Sequence, residues 1–195
     1  MKKMQALLFT IVIAASLHAA GTDSYATGDM QFKDWGISFT VPAQLQRWTS
    51  EKENAFFAYV QKSANKATIK TDLIHVAIWS AEEDAAMMCL TVKRERGGDS
   101  LNLSKLLARL ELDNKLAKKY GHATKINRLA LDKIGSLSCI INDVTLRTGA
   151  RQFSYHLVTG VVNFEIQWMF PDGSKFAELK PLIDGIFKTI SIDVE

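Results

Sequence analysis

Beyond its first twenty residues the chain holds three histidines, His75, His122 and His156, and two cysteines, Cys89 and Cys139. These are the residues whose types could do chemistry, and their spacing decides against most of it. No His-x-His or His-Glu-x-x-His pattern occurs, so the sequence offers no local ligand set for a metal. A cysteine–histidine nucleophile needs a partly exposed thiol in an electropositive setting. Both cysteines sit instead among Met, Leu and Ile, which points to burial or to a disulfide. No Gly-x-Ser-x-Gly elbow, P-loop or dinucleotide fingerprint is present, and Gly97-Gly98 reads as a turn. His75 lies in an apolar strand and reads as a sheet histidine. His156 and Glu165 lie in the two arms of an expected hairpin, where a cross-strand pair would be structural. The expectation is therefore a protein with no catalytic residue, no cofactor and no metal.

These residues follow a leader. Lys2 and Lys3 precede an uncharged apolar run, Ala6 to Leu17, and small residues at Ala19 and Ala20 precede the polar stretch Gly21-Thr22-Asp23-Ser24. The run is short for a bilayer span, and no stop-transfer pattern follows. We read residues 1–20 as a secretory signal peptide of bacterial type. The expected location is periplasmic or secreted, with no membrane-spanning segment after cleavage. A lipoprotein would need a cysteine directly after the small residues, and none stands there.

The remainder is long enough for one domain with a sizeable core. Hydrophobic content of 47% and charged content of 23% are globular values. The formal charge of +3 loses two units with Lys2 and Lys3, so no nucleic-acid footprint remains. The short basic stretches Lys93-Arg94-Glu95-Arg96 and Lys118-Lys119 read as a solvated strand end and helix face, with an anionic partner or lipid headgroups as the functional alternative. In an oxidising compartment two thiols within reach usually pair, which makes Cys89–Cys139 a candidate disulfide. It would close a loop of about 50 residues and stabilise the fold by roughly 4 kcal/mol. Both cysteines fall in expected strands, so pairing requires neighbouring strands or facing layers.

Residues 21–34 are polar and small and read as a flexible lead-in to a single domain over 35–195. Trp35 opens a strand with Ile37, Phe39 and Val41 on one face, and Pro42 ends it. A loop or short helix at 43–54 holds Trp48. Further strands are expected at Ala55 to Gln61, Thr68 to Trp79 and roughly 86 to 94. Leu103, Leu106, Leu107 and Leu110 are spaced for a helix, with Ala117 and Tyr120 continuing the stripe. Asn102 or Ser104 can cap its start, and Gly121 can take the left-handed position past its end. Four strands follow, Thr124 to Leu131, Ser136 to Arg147, Arg151 to Val158 and Asn163 to Phe170, linked by turns short enough to require antiparallel pairing. Ser174 is placed to cap a terminal helix, which Pro181 either kinks or divides. The pattern is α+β: a largely antiparallel sheet of about six to eight strands with a central and a C-terminal helix packed on it.

Three segments carry a resemblance to a known family. Gly36-Ile37-Ser38-Phe39-Thr40-Val41-Pro42 is similar to the opening strand of the PsbP-like superfamily, which includes the DcrB-like bacterial envelope proteins. The helix at 103 to 120 falls where that family places its central helix. The Pro171-Asp172-Gly173 turn and the helix ending Ile186-Phe187-Lys188-Thr189-Ile190-Ser191-Ile192 resemble its C-terminal closure. The resemblance implies a non-enzymatic binding, assembly or chaperone-like module with no shared catalytic set. The functional expectation is a periplasmic binding or accessory module with an envelope protein as partner. The alternatives are a carrier of a lipid or small apolar ligand, and an immunity or inhibitor protein against a specific toxin. Trp48, in a loop beside Arg47, is the tryptophan least accounted for by core packing, so Arg47, Trp48 and nearby Phe56 form the candidate contact surface.

Overall fold

The computed structural model describes residues 28–32, 36–55, 71–81, 85–95, 102–159 and 162–192. The first twenty residues, Trp35, Phe56 and the segment 56–61 expected as a strand lie outside the described residues.

The chain folds as two antiparallel sheets with helices on both faces of the larger one. Strands β1 (Gly28–Phe32) and β2 (Ile37–Val41) form a three-stranded sheet with the short C-terminal β10 (Ser191–Ile192). The larger sheet contains β3 (Gln46–Arg47), β4 (Thr71–Ser80), β5 (Met87–Glu95), β6 (Ala123–Ile134), β7 (Leu137–Leu146), β8 (Arg151–Thr159) and β9 (Val162–Phe170). Its spatial order is β3-β4-β5-β9-β8-β7-β6. After β5 the chain crosses to the far edge through a long helix and returns by a four-stranded meander, so that β9 closes against β5. Residues 50–55 form a helical segment, α1.

Period-two alternation sorts the larger sheet into two faces. On one face Leu90, Val92, Phe164, Ile166, Trp168, Phe153, Tyr155 and Ile141 form the main core. The helix α3 (Phe176–Lys188) and strand β2 cover it through Phe176, Ile183, Ile186 and Phe187 and through Ile37, Phe39 and Val41. Phe39 meets Trp79 edge-on at 6.2 Å, and Phe170 meets Phe176 at 5.3 Å and 87°. Fully burying one such side chain is worth about 1.5–3 kcal/mol, so this face supplies most of the driving force. The fork of Arg151 ties the start of α3 to the sheet. Its Nε and Nη2 donate to the two carboxylate oxygens of Asp143 at 2.8 and 2.6 Å, while its guanidinium lies 3.5 Å over the Phe176 ring.

The helix α2 (Leu103–Lys119) lies on the other face, over β6 and β7, with Leu106, Leu110 and Ile140 packed together. Asn102 caps it, its Oδ1 accepting from the Lys105 N–H at 2.8 Å. At the other end Gly121 adopts φ +71°, and the N–H groups of His122 and Gly121 donate to the Ala117 and Lys118 carbonyls at 2.8 and 3.1 Å. This satisfies the last-turn acceptors in a Schellman arrangement.

Four expectations need correction. Gly28–Phe32, expected in a flexible lead-in, is β1, paired residue for residue with β2; alternating Met30 into the core holds it there. Ala55, expected to open a strand, is helical. Tyr120 leaves the buried stripe of α2 and is 64% exposed, because the helix ends at Lys119 and the chain turns at Gly121. The cap before the last helix is Asp172, whose Oδ1 accepts from the Ser174 N–H at 2.9 Å; a 3-10 turn at Gly173–Lys175 then leads into a continuous α3 that contains Pro181.

Candidate functional site

The face of the larger sheet on the α2 side differs in chemistry from the core face. Strand β8 alternates Gln152, Ser154 and His156 onto it, β9 alternates Asn163, Glu165 and Gln167, β5 contributes Cys89 and Thr91, and β7 contributes Asn142. All are buried. Register sets them in two rows. Thr91, Glu165 and His156 face one another across three strands, and Cys89, Gln167, Ser154 and Asn142 do so one step along. The expected cross-strand pair of His156 and Glu165 is present: the two are direct register partners, with Nε2 and Oε1 3.9 Å apart.

Ser154 Oγ lies 3.0 Å from His156 Nε2. Serine, histidine and glutamate therefore meet within one buried patch, and their wiring decides what the patch can do. A hydrolytic triad places the hydroxyl on one ring nitrogen and the acid on the other, so that the acid orients the base while the base takes the proton. Here both the hydroxyl and the carboxylate approach the same nitrogen, Nε2. Ser154 is also 0% exposed, so its Oγ is closed to a substrate in this arrangement. The remaining contacts are structural. Thr91 Oγ1 donates to the Glu165 carbonyl at 3.4 Å, and Asn114 of α2 donates to Asn142 Oδ1 at 2.9 Å. Gln167 Nε2 and Asn163 Oδ1 have no hydrogen-bond partner among the described residues.

The cysteines do not pair. Both are free and buried. Cys89 on β5 is opposite Gln167 and faces the α2 side, whereas Cys139 on β7 is opposite Leu157 and faces the core. Two strands and the thickness of the sheet separate them, which no disulfide geometry spans. The candidate disulfide is thus corrected. Burial, and after it the nearby Asp132 carboxylate, push the Cys139 thiol up to about 11. It stays protonated, the opposite of what a nucleophile needs. Burial pushes the Tyr155 hydroxyl up as well.

The histidines lie apart. His75 is on β4 opposite Val92, His122 is in the turn after α2, and His156 is on β8. No group of three His, Cys, Asp or Glu suited to a metal occurs among the described residues. Of the expected contact surface, Arg47 is engaged inside the chain. It forms an ion pair with Glu53, donates through Nη1 to the Ile78 carbonyl at 2.9 Å and lies 4.9 Å over the Trp79 ring. Glu53 in turn accepts from the Ile78 N–H at 2.8 Å. These contacts clasp α1 to the edge strands. Trp48 is half-buried, with the Lys52 ammonium 4.0 Å over its ring, and Phe56 lies outside the described residues.

Two features went unread in the sequence. The polar set Gln152, Ser154 and His156 was available as a period-two signal in β8. The pairing of Asp143 with Arg151 was not, since it depends on where the four-residue link between β7 and β8 folds back. A shallow open groove also runs between α2 and β6, lined by Glu111, Asn114, Lys115, Lys118, Ile126 and Leu129.

The architecture is similar to the solution structure of cyanobacterial PsbP (CyanoP) from Synechocystis sp. PCC 6803. The match covers 92% of this chain and 100% of that one, with a TM-score of 0.55 at 8% identity. A protein of Bacteroides thetaiotaomicron VPI-5482 is matched over 82% of this chain with a TM-score of 0.44 at 12% identity, and the match spans 46% of that protein's length. No family model and no curated protein matches the sequence. The fold is PsbP-like. No described helix is long and apolar enough to cross a membrane.

Proposed function

We propose that this chain is a non-enzymatic binding or assembly module of the bacterial cell envelope, a DcrB-like variant of the PsbP-like fold without the acylated cysteine. One observation carries the non-enzymatic part. The serine, histidine and glutamate that come together are buried on one face of the sheet, with hydroxyl and carboxylate on the same imidazole nitrogen. Such a patch specifies strand register and rigidity and leaves the outer surfaces to do the work. The leader over residues 1–20 supports the envelope location. The likeness to CyanoP supports the accessory role by fold alone.

The test is crosslinking in intact cells of origin. The tagged protein is expected to yield one dominant adduct of defined mass with an envelope protein. Recovery of the protein only as uncrosslinked monomer, across crosslinkers of several lengths, would overturn the reading.

A further inference from the structure

The outer face of α2 breaks the rule that a surface helix turns polar residues to water. Leu106, Leu110 and Asn114 are buried against the sheet. At 100° per residue, Leu112 and Leu116 lie on the side of the helix away from them. Leu112 is 56% exposed, Leu116 38%, and Tyr120, one step further, 64%. The three form a line along the helix at four-residue spacing. Lys115 and Lys119 flank this line in the last two turns, whereas Lys118 is turned toward the groove against β6; neither Lys115 nor Lys119 makes an ion pair with any described residue. Lys119 Nζ stands 5.8 Å over the Tyr120 ring.

We infer that this face of α2 is a peripheral docking surface for an anionic lipid bilayer. Charge complementarity selects an anionic occupant, since the Lys115 and Lys119 ammonium groups beside the apolar line are paired with no carboxylate of the described residues. Shape selects a bilayer over a protein. The apolar side chains stand in a single line on a convex ridge, whereas protein hot spots fill desolvated pockets within a rimmed patch. On a bilayer, Leu112, Leu116 and Tyr120 insert among the acyl chains and headgroups while the flexible lysine stems carry their ammonium groups to the phosphates. Tyrosine suits that boundary, with an apolar ring and a polar tip. The inference rests on the envelope location proposed above, where a bilayer surface is always near.

Sedimentation with vesicles tests it. Protein purified from its own cells is mixed with vesicles of phosphatidylcholine alone or blended with phosphatidylglycerol. It is expected to sediment with the blended vesicles, to remain in solution with the neutral ones, and to be released by high salt. Each lysine near the surface contributes about 1 kcal/mol. K115E/K119E is therefore expected to lower the partition coefficient more than about tenfold. L112S/Y120S is expected to lower it as far through lost insertion, with the thermal unfolding of both variants matching the parent. Wild-type protein that stays in solution with the blended vesicles overturns the inference, as do two folded variants that bind like wild type. If that failure comes with a stoichiometric protein adduct in the crosslinking experiment, the docking surface falls while the binding-module reading stands.

Discussion

Replacing Arg151 by methionine is the sharpest test of how the PsbP-like sheet is held to its last helix. The substitution removes two charge-assisted hydrogen bonds, at 2.8 and 2.6 Å, and leaves Asp143 with one, from Asn127 Nδ2 at 3.0 Å. The Asp143 side chain is 7% exposed and that of Arg151 is 25% exposed. Stranding one member of a buried pair costs roughly 3–5 kcal/mol. Water reaching the vacated space recovers part of this, and methionine keeps some packing against Phe176, so about 2–4 kcal/mol is expected. Urea unfolding followed by tryptophan fluorescence reads the loss. With a slope of about 2–3 kcal/mol/M, the midpoint falls by roughly 0.7–2 M. The double variant D143L/R151M has no stranded charge and is expected to regain most of the loss. A midpoint shift below about 0.3 M for R151M, or a double variant no more stable than the single, would refute the assignment of this fork as a buried clasp.

Three further outcomes follow from the same structure. Thiol titration is expected to find no reactive cysteine in the native protein near pH 8 and two in denaturant, because Cys89 and Cys139 are both free and buried; none in non-reducing denaturant would restore the disulfide. Stability should fall as pH rises. The Cys139 thiol titrates near 9 when unfolded and about 11 when folded, so the unfolded chain loses its proton first. The stabilisation is complete below pH 9 and lost across pH 9 to 11, by about 2–3 kcal/mol, and C139A should flatten that slope. Gly173→Ala should lower the urea midpoint by the equivalent of more than about 1 kcal/mol, since a Cβ there would lie 2.6 Å from the Gly149 carbonyl oxygen; an unchanged midpoint would show that the turn yields freely.

The elements with strong internal periodicity were legible in the sequence. The α2 stripe, the Gly121 stop and the four-strand meander each declare themselves within a dozen residues, and the structure places them within three residues of expectation. β1 was hidden because the strand is only five residues long and opens with Gly28 and Asp29, which favour turns, and its pairing with β2 is a tertiary fact. The disulfide expectation failed for a related reason. Strand membership was right for both cysteines, but which face each side chain takes depends on exact register, and a one-residue step reverses it. The His156–Glu165 pair was legible because both residues lie in one hairpin. Its neighbour Ser154 changed the question from pairing to wiring, and only coordinates distinguish one imidazole nitrogen from the other.

Native mass spectrometry of the tagged protein, gently released from its own cell envelope, tests the central claim most directly. A complex with one envelope protein at fixed stoichiometry is expected. A homogeneous small mass bound to the chain, with no protein partner, would contradict the account and make the protein a carrier.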